Sequence, residues 1–475
     1  MLTARAPEMV YGLDSESHAL LAACYEQWAR CFPRNVERQL YLDMKNGLKD
    51  LEVALPPSLV DRLGVVSGWA PKAVYEVSNR VVFKGVHDDP FGLGDLLHEN
   101  RFEIELPQAI VSALSQSVAF VSTTPGDTSA GEPEVLFQFH SALWSTGVWD
   151  RRLRRLRAGL LVNDIDDQGV PLRMTLLVPG QTVSLVRGSE WYVEAVYDNP
   201  LRHRIPMEPL PYRPTLERPF GRSRIDRTVM SLIDRFVRSG SRLDVHAELF
   251  SAIKLILLGA SQTTFQDNAG NTIPLWRWTM SRLNAIEKDE DGDVPKLEQV
   301  AAQSPEPILA YNRQLAAEFS GHTGVPLGSL GIATDNPESQ GAKQEARQDI
   351  VADVEAQHVV FGAALERAFE SALMLRDDTA VAPDLRELKL ADSSSWRSPQ
   401  RPTLQAQGDY GAKVVSVAPD LMQTRVGYEL LGLEPGQIDR HEAELRRARA
   451  ASLVERLAGG APLLPERGAA DVEEV

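Results

Sequence analysis

Cysteine is nearly absent: Cys24 and Cys31 are the only two in 475 residues. Two thiols make no disulfide framework, so the chain reads as one assembled in a reducing compartment. The pair fits two small core residues on one face of a helix. A metal or redox pair is the alternative, but no zinc ligand set completes it, and no metal or cofactor is expected. The N-terminal MLTARAPEMVYG has no basic stretch followed by an apolar run, so no signal peptide is expected. The longest apolar run, Ile253 to Leu258, is broken by Lys254 and is far too short to cross a bilayer, so no membrane partner is expected.

Positive charge is in deficit. Lys plus Arg number 50 against 66 Asp plus Glu, a net charge of −16. Such a chain cannot hold nucleic acid through bulk charge, and any such contact must come from a local basic stripe. The hydrophobic fraction of 43% and the charged fraction of 24% are those of a globular chain, and the length suits two to four compact units.

Catalytic signatures are also missing. There is no Gly-x4-Gly-Lys-Ser/Thr loop, no Gly-x-Gly-x-x-Gly after a strand, no His-Glu-x-x-His and no Gly-x-Ser-x-Gly elbow. One mimic stands out. Glu287, Asp289, Asp291, Gly292 and Glu298 occupy positions 1, 3, 5, 6 and 12 of a calcium loop. Glu at position 1, Pro295 at position 9 and strand-like flanks make it an exposed acidic hairpin turn instead.

What the sequence does contain is an ordered series of elements. Residues 14–32 have helical apolar spacing (Leu20, Leu21, Cys24, Trp28, Cys31), and Pro33 is expected to stop that helix. SVAFVST (117–123) and EVLFQFH (134–140) read as paired strands. PLRMTLLV, TVSLV and WYVEAVY, separated by Pro-Gly and Arg-Gly-Ser turns, read as a meander. Between these groups lies DRRLRRLRAG (150–159), with five arginines in seven positions. It reads as a solvated face beside Leu153 and Leu156, paired with the acidic Asp164–Asp167 stretch. A phosphate-binding patch is the alternative.

Pro211, Pro214 and Pro219 mark a boundary before RPFGRSRI (218–225), where a long helix is expected from about Gly221 to Ala247. At 100° per residue, Arg224, Arg227, Arg235, Arg238 and Arg242 fall within about 80° of arc, opposite an apolar face of Ile225, Val229, Met230, Leu232, Ile233, Phe236 and Val237. Residues 249–303 read as a small α/β insertion, with strands AIKLILLGA and PLWRWTM and a closing KLEQV. Ser304 and Pro305 open a second helix with the stripe Ile308, Tyr311, Leu315 and Phe319. After a Gly-rich loop, Asn336-Pro337 opens a very long helix, expected to reach Leu375 over about 58 Å. Its stripe is Ile350, Val354, Phe361, Leu365 and Ala372. LRELKL reads as a short strand, 403–458 as short helices, and 459–475 as a disordered tail.

The order and spacing of these pieces resemble the portal proteins of tailed bacteriophages, in the actinobacteriophage-like branch. The pieces are RPFGRSRI before a long helix, the inserted unit, FSGHTGVPLGSLGI, NPESQGAKQEAR, EAQHVVFGAALERAFESALML, a segment containing Trp396 and a helical C-terminus. One departure is Glu338-Ser339-Gln340-Gly341-Ala342, where such proteins often carry two serines and an alanine.

The resemblance implies an α+β, mostly helical portal fold: wing (1–221), stem helix 1 (222–248), clip (249–303), stem helix 2 (304–323) and tunnel loop (324–336). The wing's long helix and strand (337–402), a small crown (403–458) and the tail complete it. It implies a structural subunit and not an enzyme. Copies would form a dodecameric ring at the capsid vertex of the virion, assembled in the bacterial host cytoplasm, through which double-stranded DNA is packaged and ejected. The implied partners are further copies of the chain, DNA, the terminase large subunit, the head–tail adaptor, the major capsid protein and a scaffold protein.

The residues expected to line the channel are Val325, Leu327, Ser329, Thr334, Asp335 and Asn336. Those expected on the clip's partner surface are Trp276, Trp278, Glu287, Asp289 and Asp291. The arginine stripe is expected to face a neighbouring subunit's acids in preference to DNA. An acidic chain repeated around a ring would form a repulsive sleeve in which DNA slides. The competing readings are another capsid-associated minor head protein and a hydrolase with a helical lid.

Overall fold

The computed structural model describes residues 6–47, 49, 64–86, 89–250, 254–258, 296–300, 303–332, 347–390, 395–400, 404–433 and 435–458. They fall into two compact units, Met1–Pro399 and Gln400–Val475. About half of the described residues are helical and the class is α+β.

The first unit begins with β1 (Val10–Tyr11), α1 (Ser15–Leu42), α2 (Trp69–Ser78), α3 (Leu93–Glu99) and α4 (Phe102–Gln116). Then come the strands β2 (Val118–Pro125), β3 (Val135–Ser141), β4 (Ser145–Asp150), β5 (Arg155–Ile165), β6 (Pro171–Val178), β7 (Gln181–Arg187), β8 (Trp191–Asp198) and β9 (Met207–Pro211). It continues with α5 (Arg227–Phe250), the antiparallel pair β10 (Lys254–Leu258) and β11 (Lys296–Val300), α6 (Glu306–Thr323) and α7 (Gln348–Arg376).

The meander expected from alternation is present. β4 to β8 form one antiparallel sheet in sequence order, and β1 joins its β8 edge in parallel. A second, three-stranded sheet has the order β3-β2-β9.

β5 is buried on both of its faces. Ala158, Leu160 and Val162 pack under α1, together with Leu20, Leu21, Cys24 and Trp28. Leu161 and Leu177 face the other way, onto Phe120, Ile205 and Met207. A strand covered on both faces loses its alternation. The largest core joins α2, α3 and α4 with α5, α6, α7 and the three-stranded sheet. The expected stripe of α7 is borne out, since Ile350, Val354, Phe361, Leu365 and Ala372 are all buried.

Several expectations are corrected. Pro33 does not end α1, which runs on to Leu42. Proline in a helix interior removes one hydrogen bond and clashes with the preceding turn, costing about 3 kcal/mol. Tertiary anchors beyond it hold the helix: Asn35 Nδ2 donates to the Ala142 carbonyl at 3.0 Å, Arg38 to the Gln116 carbonyl at 3.2 Å, and Tyr41 Oη to Asp234 at 2.6 Å.

Cys24 is fully buried, and burial pushes its thiol up to about 12, so it is a core residue without redox character. LRELKL is not a strand. Arg386–Leu388 is a 3₁₀ turn, with Leu385, Leu388 and Leu390 buried in the large core. An alternating run and a tight turn can both bury leucines, and here Lys389, with φ of 47°, turns the chain away from extended geometry. The arginine run also behaves differently. It forms the β4–β5 turn, whereas Asp164 to Asp167 lie at the opposite end of β5.

The described part of the very long helix begins at Gln348 and spans 29 residues; its expected start at Pro337 lies outside the described residues. The expected strand 274–280, residues 287–295 of the acidic turn and the tail from Gly459 also lie outside them, whereas Glu298 lies in β11 opposite Ile256.

Two largely buried histidines give the unit a pH signature. Burial lowers both His140 and His358 to about 4. His140 shares a 2.8 Å hydrogen bond with Ser122, and His358 stacks on Trp396 at 4.9 Å. The unfolded imidazoles keep a value near 6.5. Between pH 6.5 and 4 the unfolded chain therefore binds more protons than the folded one, and stability falls as pH falls. Urea denaturation at pH 7 and pH 4.5 should show a loss that shrinks by up to about 5 kcal/mol in the His140→Gln, His358→Gln double variant, at about 1.4 kcal/mol per pKa unit for each of the two groups. An unchanged slope would remove these residues from the account.

The second unit holds α8 (Leu404–Val417), α9 (Arg425–Leu430) and α10 (Pro435–Ala458), with a 3₁₀ turn at Pro419–Gln423. This is the set of short helices expected for 403–458, although α10 is long. Thr424 caps α9 through its hydroxyl, and Arg425 pairs with Glu442 at 3.3 Å.

Candidate functional site

Of the residues expected to matter, Arg224 and the first residues of the 324–336 loop meet where α5 begins, α6 ends and α7 passes. The approach to α5 is a tight bend. Gly221 has φ of +68°, and a Cβ there would lie 2.0 Å from the Tyr212 carbonyl oxygen, so no side chain fits. Arg222 N donates to that same oxygen at 2.8 Å. This is the physical reason for glycine in RPFGRSRI. The helix itself starts only at Arg227, with Asp226 capping it by accepting from Val229 N at 2.9 Å.

Arg224 therefore precedes the helix and is not on its stripe. Its side chain is 7% exposed. The guanidinium donates to Tyr212 Oη at 2.9 Å, Asp353 Oδ2 at 2.8 Å, the Thr323 carbonyl at 2.6 Å and the Ala73 carbonyl at 2.5 Å. One arginine thus ties four separate segments together: α2, the 212 bend, the last residue of α6 and the N-terminal part of α7.

Asp353 is the counterpart, 4% exposed at its side chain. It also accepts from Arg213 Nε at 2.7 Å and from Tyr212 Oη at 2.5 Å. Burial is the main cause that pushes the Tyr212 phenol up to about 12, so it stays a donor. Gln357, one turn on, accepts from Arg213 N at 3.1 Å and donates to the Pro211 carbonyl at 2.8 Å. An open cavity of about 670 Å³ adjoins this network, lined in part by Thr215, His322 and Asp349.

The loop after α6 leaves from the same place. Gly324 closes the helix with φ of +73°, and its N–H donates to the Ser320 carbonyl at 2.8 Å. His322 Nε2 lies 2.9 Å from Asp226 Oδ2, which links the C-terminus of α6 to the cap of α5. Among the expected channel residues, Val325 is fully buried in the large core and cannot face a channel, a correction. Leu327 packs partly against that core and Ser329 is half-buried, both in a 3₁₀ turn at Leu327–Leu330. Thr334, Asp335 and Asn336 lie outside the described residues, as do Trp276, Trp278, Glu287, Asp289 and Asp291.

Part of the remaining arginine stripe is engaged within the chain. Arg235 bridges α5 to α6, donating to Tyr311 Oη at 3.0 Å and to Glu318 at 3.2 Å. Arg238 donates to the Lys49 carbonyl at 3.0 Å. The Nε of Arg242 is buried without a hydrogen-bond partner among the described residues, and Arg227 is exposed. Under this seam Trp69 packs on Phe236 and Phe319, with ring centroids 4.1 and 5.0 Å apart.

Nothing in this constellation is arranged for bond-breaking. The charged groups are satisfied by one another, and no group of three potential metal ligands occurs among the described residues. No helix among the described residues is long and apolar enough to cross a membrane. The arrangement can hold two antiparallel helices and the loop after them in a fixed relation.

Sequence reasoning found Arg224 but placed it wrongly, and it missed Asp353, Tyr212 and Gln357. One signal was present: Asp353 and Gln357 interrupt the apolar stripe of α7 beside Ile350 and Val354. A carboxylate in such a stripe requires a buried partner.

No protein-family model matches the chain. The portal protein of Mycobacterium phage D29 is 28% identical over 240 residues, which covers 50% of this chain and 48% of that protein. This match thus spans about half the length of the D29 protein. The portal protein of Mycobacterium phage L5 is 26% identical over 397 residues, 79% of this chain and 77% of the L5 protein. The chain is similar to the portal proteins of these two mycobacteriophages. The resemblance read from element order is thereby borne out. A solved structure described as the neck of a native GTA particle computed with C12 symmetry aligns at a TM-score of 0.37 and 14% identity, covering 84% of this chain and 99% of its own.

Proposed function

We propose that this chain is a structural portal subunit, the head–tail connector of a tailed phage, which forms a ring at one capsid vertex for double-stranded DNA to pass. The observation that carries this reading is the match to the L5 portal protein across 79% of the chain. The subunit is a virion component without catalytic activity. The site supports that role mechanically. Arg224 and Asp353 lock α5, α6 and α7 where the 324–336 loop departs, so a loop that narrows a channel would be presented from a rigid base.

In this reading α5 and α6 form the stem, the 249–303 insertion the clip, and the second unit a small crown. The terminase large subunit and head–tail adaptor dock on the clip. The major capsid protein contacts the wing, with a scaffold protein taking part during assembly in the host cytoplasm. The charge balance of −16 suits a conduit that must not retain its cargo.

Negative-stain microscopy and light scattering of the purified chain test the proposal. Rings with a central hole are expected. Particles of a single chain under every assembly condition would overturn it.

A further inference from the structure

The arginine run at the β4–β5 turn has no role in the reading above, and the structure removes the acidic partners that the sequence offered it. Asp164 lies nine residues along β5 from Arg155, about 30 Å at 3.3 Å per residue, which is several Debye lengths at physiological salt. The acidic end has basic neighbours of its own: Asp166 pairs with Arg187 at 3.7 Å, and Arg173 stands opposite Asp164 in the register.

At the turn itself, Asp150 is the one carboxylate, and it accepts from Arg152 N at 2.8 Å and Leu153 N at 2.9 Å. It therefore fixes the backbone of the turn. Arg154 takes φ of +51° there, and Leu153 is exposed at the tip. Arg157 has an ion partner, Glu16 at 3.8 Å, with both side chains more than half exposed. Arg151, Arg152, Arg154 and Arg155 have no ion pair or side-chain hydrogen bond among the described residues. Leu156, between Arg155 and Arg157, is 3% exposed in the core, and the ladder bulges at Arg157.

We propose that this hairpin tip binds the phosphate backbone of duplex DNA. The inference goes beyond the conduit reading, because it places a DNA contact on the six-stranded sheet and away from the helix–loop junction. Four unpaired guanidiniums on a backbone-braced turn form a compact cationic edge, and duplex DNA presents one negative charge per about 1.7 Å. The guanidinium fork matches phosphate oxygens in bidentate fashion. An acidic protein partner would need an apolar rim or groove around the charges, and Leu153 is the one exposed large apolar side chain of the turn. The net charge of −16 does not forbid the contact, because screening makes the nearest charges decisive.

Fluorescence anisotropy of a labelled random-sequence duplex with the full chain, from 25 to 200 mM NaCl, tests this. The expected result is sequence-independent binding whose log Kd changes with log salt by a slope of about 3–4 or steeper, near 0.9 per phosphate contact. Replacing Arg151, Arg152, Arg154 and Arg155 together by Gln should weaken binding at least tenfold at 50 mM salt and flatten the slope. The melting temperature should stay unchanged, since these side chains support no fold contact. Equal binding by both proteins, no binding by the parent chain at 25 mM, or capture of polyglutamate in place of DNA would each overturn it. Rings that form but do not bind DNA through the tip would sink this inference and leave the portal reading intact. Tip-dependent DNA binding by a chain that never forms rings would do the reverse.

Discussion

Asp353→Ala should destabilise the first unit by about 3–5 kcal/mol, the range measured when one partner of a buried ion pair is removed. The substitution leaves the Arg224 guanidinium in a site where its side chain is 7% exposed, and it also strips the Tyr212 hydroxyl of its acceptor. Two controls separate charge from packing. Arg213→Ala removes the other guanidinium on Asp353, but its side chain is 60% exposed, so the expected loss is under about 1 kcal/mol. Replacing the pair together, Arg224→Met with Asp353→Leu, should recover much of the loss, because an apolar pair leaves no buried charge unmatched. Chemical denaturation measures all three. Limited proteolysis adds a local readout: cleavage within 324–332 should rise in Asp353→Ala, since Arg224 holds the Thr323 carbonyl at the start of that loop. A wild-type denaturation curve for Asp353→Ala would show that the network does not hold the junction.

Phe319→Ala should have a loss of similar size for a different reason. Phe319 is fully buried on α6 and packs on Trp69, which in turn packs on Phe236 of α5. Truncating a buried phenylalanine costs about 3–5 kcal/mol, in part from the cavity left behind. The exposed link across the same seam, Arg235 to Glu318, has side chains 33% and 40% exposed and contributes under about 1 kcal/mol. Arg235→Ala is therefore expected to be nearly neutral, while Phe319→Leu should keep most of the stability lost in Phe319→Ala. The reverse ranking, with Arg235→Ala the worse variant, would mean that the helix pair is held by charge and not by aromatic packing.

Much of the fold is legible before any coordinates. The β6–β8 meander follows from period-two alternation with Pro-Gly and Arg-Gly-Ser turns, and those strands occur with the expected bounds to within a residue or two. The stripe Ile350 to Ala372 identified the buried face of α7 because helical spacing leaves it no other face to bury. The site was only partly legible. Arg224, Arg235 and Arg238 share an arc by their spacing, yet the partners of each lie 76 to 189 residues away in sequence, or 12 for Tyr212.

The sequence by itself determined local matters: which runs alternate, where Ser304 and Pro305 open a helix, that bulk charge opposes nucleic acid, and which family the order of elements resembles. These depend on neighbours a few residues apart, whose geometry the backbone dictates. Only the tertiary structure decided that Pro33 is carried through α1 and that Val325 turns inward. It alone showed that Arg224 is a buried strut on Asp353 and that the 151–157 arginines stand apart from Asp164–Asp167. Each of these outcomes depends on which distant group closes on the residue in three dimensions. Burial then sets the energy: a proline, a guanidinium or a carboxylate is tolerated in the interior only where such a partner satisfies it.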